Sequence, residues 1–160
     1  MPELDCDKHG LVEVYHNQSQ YQLIQVAEDQ FGIGRILILD GVVQLSTYDQ
    51  HRYHEGLAVV PYLFTPHARR VAILGGGDGF AAALLLRLFP IERLVLVELD
   101  PEVVEVAKAF FDFPIDERLE VVHQDAATWV RDTNDKLGGD QFEMILCDYT
   151  DPNFEHAAPL

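Results

Sequence analysis

A run of glycines between a buried strand and an apolar helix constrains this chain more than any other feature. Residues 71–74 are Val-Ala-Ile-Leu, residues 75–79 are Gly-Gly-Gly-Asp-Gly, and an apolar stretch extends from Phe80 to Phe89. Glycine lets the chain turn sharply onto a helix N-terminus and lets a ligand approach the backbone closely. A tight turn without a ligand needs fewer glycines than the four present here, which are Gly75, Gly76, Gly77 and Gly79. The segment therefore predicts the nucleoside-binding turn of an α/β fold.

Apolar runs of similar length recur at near-constant spacing along the second part of the chain. They begin at residues 71, 94, 119 and 144, with helical segments between them. This alternation predicts βαβ units with right-handed crossovers, and hence a parallel sheet. Continuously apolar runs are typical of strands covered on both faces, which we expect for all four strands, although the run from residue 119 contains Glu120. The four predicted strands are Val71–Leu74, Leu94–Val97, Leu119–Val122 and Met144–Cys147.

The chain before residue 48 has a different character. It reads as short extended runs joined by turns, and Asp40-Gly41 is a hairpin signal between two of them. We therefore predict a small antiparallel β-domain over residues 1–47 and an α/β domain over residues 48–160. The first is too small to be stable alone and is expected to pack on the rest of the chain or on a second subunit. Its predicted strands are Leu11–Tyr15, Tyr21–Val26, Arg35–Leu39 and Val42–Leu45.

Capping residues mark the expected helix starts. Ser46 or Thr47 is expected to cap a helix that runs through residues 48–60, with Pro61 near its end. Asp100-Pro101 predicts an N-cap followed by proline at the first helical position. Both helices agree with the α/β alternation of the second part of the chain.

The excess of acidic residues bears on which classes of molecule the protein can bind. The chain has 11 Lys and Arg against 27 Asp and Glu, which gives a formal net charge of −16. Nucleic acids and anionic membranes are recognised by clustered basic side chains, so neither is expected as a partner. Apolar residues make up 48% of the chain and can supply a core, but no apolar run is long enough to span a membrane. A cationic substrate is compatible with this composition.

The cysteines and the N-terminus both favour the cytoplasm. Cys6 and Cys147 are far apart in sequence, so a disulfide framework is not expected. Cys147 ends an apolar run and is expected to be buried. The first ten residues, MPELDCDKHG, have neither the basic start nor the apolar stretch of a signal peptide.

The acid within the glycine run bears on the choice of ligand. Residues 77–82 satisfy the GxGxxA pattern of dinucleotide-binding turns, which is a weak signal on its own. A pyrophosphate over this turn would lie beside the like charge of Asp78. A cationic ligand, such as a sulfonium nucleoside with a free amine, would be attracted to it instead.

Acidic side chains follow the next three predicted strands. Because the carboxyl ends of parallel strands meet at one edge of the sheet, these acids are expected at a single rim. Glu98 is placed to accept hydrogen bonds from ribose hydroxyls, and Asp125 to receive an adenine amino group. Asp148 and Asp151 could bind a diamine or take a proton from an amine nucleophile. The structural alternatives are an exposed strand-end acid, an N-cap at Asp125 and an Asx-turn before Pro152.

Together these motifs resemble those of the polyamine aminopropyltransferase family, which includes spermidine synthase. The resemblance covers the chain from about residue 10 and depends on the combination of motifs, since each alone is weakly specific. It implies an N-terminal β-domain followed by a Rossmann-like, methyltransferase-type parallel sheet with flanking helices. The matching segments are Tyr21-Gln22, residues 39–44 (LDGVVQ), residues 53–55 (YHE), residues 75–79 (GGGDG), residues 97–100 (VELD), Asp125 and residues 148–152 (DYTDP).

The resemblance implies a reaction. Decarboxylated S-adenosylmethionine gives its aminopropyl group to an amine, usually putrescine, and the products are spermidine and methylthioadenosine. The nucleoside is then a co-substrate, and neither a cofactor nor a metal is expected. A homodimer or homotetramer formed through the β-domain is also implied.

The resemblance further implies a role for each motif residue. Asp148 corresponds to the proton acceptor for the attacking amine, and Asp78 to the carboxylate that holds the amine of the aminopropyl group. The other implied substrate contacts are Asp151, Tyr53 and His54 for the polyamine, Glu98 for the ribose, Asp125 with Ala126 for the adenine, and Gln22 for the nucleoside.

The chain departs from the family pattern in several places. Phe80 and Ala126 stand where the family often has a small residue and a glycine, and Asn153-Phe154-Glu155 follows the last motif where a Gly-Pro pair is common. The chain also ends at Leu160, before the family's C-terminal strands. Two alternatives therefore stay open: an S-adenosylmethionine-dependent methyltransferase, and a non-catalytic member that binds nucleoside or only assembles.

Overall fold

The computed structural model describes residues 10–136 and 142–149. Eight strands in this part of the chain form two four-stranded sheets. The strands of the first sheet are β1 (Leu11–Gln18), β2 (Leu23–Asp29), β3 (Arg35–Leu39) and β4 (Val42–Ser46). Those of the second sheet are β5 (Arg70–Gly75), β6 (Arg93–Glu98), β7 (Leu119–His123) and β8 (Met144–Asp148). The first sheet is antiparallel in the order β1-β2-β3-β4, and the second is parallel in the order β7-β6-β5-β8. The predicted fold class is thereby confirmed.

The helices connect and cover the parallel strands. They are α1 (Gln50–His54), a π-helical turn (Glu55–Val59), α2 (Val60–Phe64), α3 (Phe80–Leu88), α4 (Pro101–Phe110) and α5 (Ala126–Lys136). Asp100 caps α4 as predicted, because its side chain accepts a hydrogen bond from the Glu102 amide.

The predicted start of the first helix is wrong. Ser46 ends β4, where it pairs with Ile36, and the Thr47 hydroxyl accepts a hydrogen bond from the Arg35 amide. Both candidate caps are therefore engaged in sheet contacts, and the helix begins later, after Asp49. Pairing within the sheet has outweighed local capping preference.

The antiparallel sheet packs against the α/β part of the chain, as its small size led us to expect. Its buried side chains, among them Ile24, Val26 and Leu37, form one cluster with Val103 and Val106 of α4. The hairpin between β3 and β4 turns at Asp40-Gly41, and both residues have positive φ. This packing brings the loop between β1 and β2 close to the start of α4. The predicted division of the chain at residue 47 stays a prediction.

The two faces of the parallel sheet are covered to different extents. On one face, Val71, Ile73, Leu94 and Leu96 pack against α3, α4 and the helical segment before β5. On the other, α5 places Trp129 against β5 and β6. Within the described residues, no helix covers the β8 side chains on that second face.

Burial on both faces therefore holds for the central strands β5 and β6, is only partial for β7, where Glu120 is exposed, and is wrong for β8. Ile145 is half exposed, and Cys147 is an exposed free cysteine rather than a buried one. The physical reason is that β8 is an edge strand in the described part of the sheet. Of the helices that the structure describes, none is long and apolar enough to cross a bilayer.

Candidate active site

A cavity of about 780 Å³ lies between the carboxyl ends of the parallel strands and the antiparallel sheet. The chain order of the parallel strands reverses between β5 and β8, since β6 and β7 lie on one side of β5 and β8 lies on the other. Ligands of open α/β sheets bind outside the carboxyl ends of the strands at such a reversal. The volume is in the range of small-molecule sites.

Most of the predicted site residues line this cavity. They are Gln22, Tyr53, Gly75, Gly76, Gly77, Asp78, Glu98, Asp125, Ala126 and Asp148. Gly79 and His54 are not among its lining residues, although His54 lies against Asp78 and Asp148, which are; its assignment to the polyamine stays a prediction. Asp151 and Asn153-Phe154-Glu155 lie outside the described residues. The structure therefore brings together, around one cavity, residues from six separate parts of the sequence.

Two of the four glycines in the turn are required by the packing of the protein itself. Gly75 has positive φ, and a Cβ there would clash with the backbone oxygen of Asp148. Gly79 also has positive φ, and its Cβ would lie 2.6 Å from the ring of Phe113. These two positions require glycine whether or not a ligand binds. Of the two roles expected for the glycines from the sequence, a sharp turn and close approach of a ligand, Gly75 and Gly79 show the first, and the second stays a prediction.

Glu98 is held at the mouth of the turn by two backbone amides. Gly77 donates to its Oε2 over 3.1 Å, and Asp100 donates to its Oε1 over 2.9 Å. Burial raises the pKa of Glu98, while these hydrogen bonds oppose the rise. The carboxylate is therefore oriented before any ligand arrives, and its remaining lone pairs can accept hydrogen bonds.

Asp125 combines the two roles considered for it. Its side chain accepts hydrogen bonds from the Thr128 amide and hydroxyl, both over 2.8 Å, and so caps α5. The hydroxyl bond, then the amide bond, lowers the pKa of Asp125. Asp125 and the adjoining Ala126 also line the cavity, so the cap does not remove the acid from the rim.

Two carboxylates, one from the glycine turn and one from the end of β8, meet at the cavity edge. Asp78 comes from the glycine turn, where its Oδ1 accepts a hydrogen bond from the Phe80 amide over 2.8 Å. Asp148 ends β8 and accepts a hydrogen bond from the Tyr53 hydroxyl over 2.8 Å. Burial raises the pKa of Asp148 and the charge of Asp78 raises it further, while Tyr53 and then His54 lower it.

His54 lies beneath this pair and is 1% exposed. Its Nδ1 lies 2.7 Å from the Gln50 carbonyl oxygen, which can only accept, so Nδ1 carries a hydrogen. Its Nε2 lies 3.6 Å from Asp78 Oδ2, which is an ion-pair separation rather than a hydrogen bond. Burial lowers the pKa of His54, but Asp78, the Gln50 carbonyl and Asp148 outweigh burial and raise it overall.

The cluster formed by His54, Asp78 and Asp148 can hold a cation. One ligand atom from each residue lies within 4.8 Å of the others. Within the described part of the chain, His54 Nε2 and Asp148 Oδ2 are buried without a hydrogen-bond partner. One imidazole nitrogen and two carboxylates suit a divalent metal, and the same charge and acceptors suit an organic ammonium group.

Sequence reasoning missed several residues of the site. Tyr21, Gln44 and Gln124 line the cavity without having been assigned a role there. Asp100 was interpreted only as a helix cap, yet its carboxylate also accepts a hydrogen bond from Gln22. The sequence contains a partial indication that Gln124 and Asp100 lie near the site. Gln124 directly precedes Asp125, and Asp100 follows Glu98 by two residues.

Comparison with protein families yields two adjoining matches. The spermine/spermidine synthase domain matches residues 50–158, and the spermidine synthase tetramerisation domain matches residues 13–47. The chain is 45% identical over 152 residues to a polyamine aminopropyltransferase of Corynebacterium efficiens, a match that covers 92% of this chain and 28% of the relative. It is 42% identical over 148 residues to polyamine aminopropyltransferase 1 of Aquifex aeolicus, covering 89% of this chain and 51% of the relative.

Solved structures show the same relationship. A crystal structure of spermidine synthase in complex with the transition state analogue AdoDATO aligns with a TM-score of 0.77 at 33% identity, over 88% of this chain and 47% of that one. Spermidine synthase from Thermotoga maritima aligns with a TM-score of 0.76, also at 33% identity and with the same coverage. The chain thus spans about half the length, or less, of these relatives. Because the domain match extends over most of its residues, the chain belongs to the spermine/spermidine synthase family.

Proposed function

We propose that the chain transfers an aminopropyl group from decarboxylated S-adenosylmethionine to an amine, with putrescine as the acceptor. The observation that carries the proposal is the carboxylate pair Asp78 and Asp148, which lies at the edge of a nucleoside-sized cavity beside buried His54. Donor and acceptor are both cations, and paired carboxylates suit two cations that must be held close together. The polyamine aminopropyltransferases that the chain resembles support the same reaction class.

In the proposed step, the amine nitrogen of the acceptor attacks the methylene carbon next to the sulfonium. A C–N bond forms while the C–S bond breaks, and the electron pair of that bond goes to sulfur, leaving neutral methylthioadenosine. The proton from nitrogen goes to Asp148. Because a sulfonium is already a good leaving group, the protein mainly aligns and deprotonates the amine. The raised pKa of Asp148 makes it a stronger base than an ordinary carboxylate.

The nucleoside portion of the donor fits the remaining groups of the rim. Glu98 is an oriented acceptor suited to the ribose hydroxyls. Asp125 and Ala126 line the part of the cavity next to α5 and are assigned to the adenine, and Gln22 approaches from the antiparallel sheet. Asp78 would repel the carboxylate of ordinary S-adenosylmethionine, which the decarboxylated form lacks.

The proposal extends to assembly, cofactors and compartment. The match of residues 13–47 to the spermidine synthase tetramerisation domain supports a homo-oligomer, a dimer or tetramer, formed through the antiparallel sheet. The reaction balances without a metal or cofactor. The exposed thiol of Cys147 suits a reducing compartment, in keeping with a reaction in the cytoplasm.

The test is an assay of the chain with decarboxylated S-adenosylmethionine and putrescine. We expect methylthioadenosine and spermidine in equal amounts. Asp148→Asn should lower the rate by about 10²–10⁴-fold, the usual contribution of a general base. Asp49→Asn, at an exposed aspartate outside the cavity lining, is the matched control and should retain the rate. Parallel assays with agmatine, cadaverine and spermidine rank the acceptors.

A second candidate function is nucleoside binding without turnover. The observation that favours it is that backbone amides already orient Glu98 and Asp125 at the rim, where both can receive a nucleoside whether or not an amine reacts. Tight binding of methylthioadenosine with no product from any amine would support this candidate and overturn the first. Release of S-adenosylhomocysteine from S-adenosylmethionine would instead indicate a methyltransferase.

A further inference from the structure

The buried carboxylate of Asp100 connects the antiparallel sheet to the nucleoside-binding half of the chain. The residue is 1% exposed. Its Oδ2 accepts hydrogen bonds from the Ser19 hydroxyl over 2.6 Å and from Gln22 Nε2 over 3.1 Å. Its Oδ1 accepts from the Glu102 amide over 3.0 Å at the start of α4. Capping α4 needs only the last of these contacts, so the other two require a separate explanation.

Asp100 also contacts Glu98, another hydrogen-bond acceptor at the cavity rim, through its backbone amide. Its amide donates to Glu98 Oε1 over 2.9 Å. One residue therefore contacts both Gln22, with its side chain, and Glu98, with its main chain. Gln22 and Glu98 both line the cavity, whereas Asp100 does not.

The chemistry of a carboxylate decides which way the Gln22 amide points. A carboxylate only accepts hydrogen bonds, so Gln22 must present its NH₂ group to Asp100. The amide oxygen is then the atom that Gln22 can offer to a ligand. Gln22 is thereby an acceptor towards the cavity, matching Glu98, and the pair is complementary to a ligand that carries hydrogen-bond donors.

We propose that Asp100 is a positioning residue for nucleoside recognition, which fixes the Gln22 side chain as a hydrogen-bond acceptor at the rim. The inference rests on the proposed function in that the ligand is a nucleoside. A purely structural role, as a helix cap and a tie between the two sheets, is the competing explanation. The two explanations differ in whether Asp100 acts on the ligand through Gln22.

The experiment measures methylthioadenosine binding by isothermal titration calorimetry, with thermal unfolding recorded for every variant. In Asp100→Asn the new side chain can still cap α4 through its oxygen, but its NH₂ group now faces Gln22. The Gln22 amide must turn over and present NH₂ to the cavity. We expect about tenfold weaker binding, the usual effect of losing a hydrogen bond in a charged network.

A compensating change separates positioning from stability. In Asp100→Asn combined with Gln22→Glu, the glutamate accepts from the asparagine and again offers an oxygen to the cavity, so binding should recover. In Gln22→Glu alone, two carboxylates would stand where a 3.1 Å hydrogen bond now joins Gln22 to Asp100, and binding should fall. That single variant remains informative even if Asp100→Asn does not fold.

Asn17→Ala is the matched control. Asn17 also ties the antiparallel sheet to α4, through a 2.6 Å hydrogen bond to Glu102, but it does not line the cavity. Asn17→Ala should at most change the unfolding temperature, and its affinity for methylthioadenosine should equal that of wild type. If wild type binds and Asp100→Asn binds equally well, or if adding Gln22→Glu to Asp100→Asn fails to restore binding, the role of Asp100 is overturned alone. If wild type does not bind methylthioadenosine, the proposed function and this role are overturned together.

Discussion

The hydroxyl of Tyr53 donates a hydrogen bond to Asp148 Oδ1 over 2.8 Å, from a helix to the end of a strand far along the chain. The other oxygen of that carboxylate is buried and has no hydrogen-bond partner within the described residues. Burial, followed by the charge of Asp78, raises the pKa of Asp148, and the Tyr53 bond restrains the rise. Tyr53 therefore tunes the residue that the proposed mechanism uses as its base.

Tyr53→Phe should move the acid limb of the pH–rate profile to higher pH. Removing the hydrogen bond removes an interaction that stabilises the ionised carboxylate, so the pKa of Asp148 rises further. A shift of about one pH unit corresponds to about 1.4 kcal/mol. The measurement is kcat/KM for aminopropyl transfer against pH. Tyr15→Phe, at a tyrosine that does not line the cavity, is the control, and an acid limb that stays in place in both variants would contradict the prediction.

His54→Gln should reduce stability in a pH-dependent way. The pKa of His54 is raised in the folded state, so its contribution is fully present below the unfolded value of about 6.5 and is lost as pH rises through the folded value. The difference in unfolding free energy between wild type and variant should therefore be larger at about pH 6 than at about pH 9. Urea unfolding at both pH values measures it.

The control for that experiment is His51→Gln, at an exposed histidine of the same helix. Its unfolding free energy should differ from that of wild type by a similar amount at both pH values. A His54→Gln difference that grows towards high pH would reverse the assigned sign and contradict the ion pair with Asp78.

Asp78→Asn should narrow the preference for the decarboxylated nucleoside. Asp78 carries the charge that would face the carboxylate of ordinary S-adenosylmethionine, and asparagine keeps the shape while removing the repulsion. Its side-chain oxygen can still accept from the Phe80 amide, so the turn should survive. Dissociation constants for both nucleosides give the ratio, and an unchanged ratio would show that Asp78 does not discriminate.

Gly77→Ala should weaken nucleoside binding without unfolding the chain. A Cβ at Gly77 would lie 2.7 Å from Glu98 Oε2 and displace a carboxylate that two amides hold. Losing that oriented acceptor should cost about tenfold in affinity for methylthioadenosine. Gly56→Ala, where a Cβ meets open space, is the matched control. Equal affinity in both variants would remove Glu98 from the binding site.

Treatment with EDTA should leave aminopropyl transfer unchanged, because the proposed function places substrate ammonium groups, rather than a metal, against Asp78 and Asp148. The rate is measured before and after dialysis against the chelator. A loss that zinc or manganese restores would reassign the cluster as a metal centre.

Many of the strands and helices can be predicted from the pattern of apolar and polar residues in short stretches of sequence. The predicted runs Val71–Leu74 and Leu94–Val97 lie within β5 and β6, each of which extends one residue further at both ends. A buried strand of a parallel sheet is recognised by its own run of apolar residues, whichever strands lie beside it. These boundaries were therefore predictable from the sequence. Ser46 and Thr47 were misassigned as caps because their competing partners, Ile36 and Arg35, lie in another strand.

The sequence by itself determined the α/β alternation, the glycine turn and the acids that end successive strands, since each depends on a few consecutive residues. Only the tertiary structure decided that β8 lies beside β5, which brings Asp148 next to Asp78. It likewise decided the burial of His54 and the exposure of Cys147. These are contacts between residues distant in the chain, and they depend on how the sheets and helices pack, which no local pattern encodes.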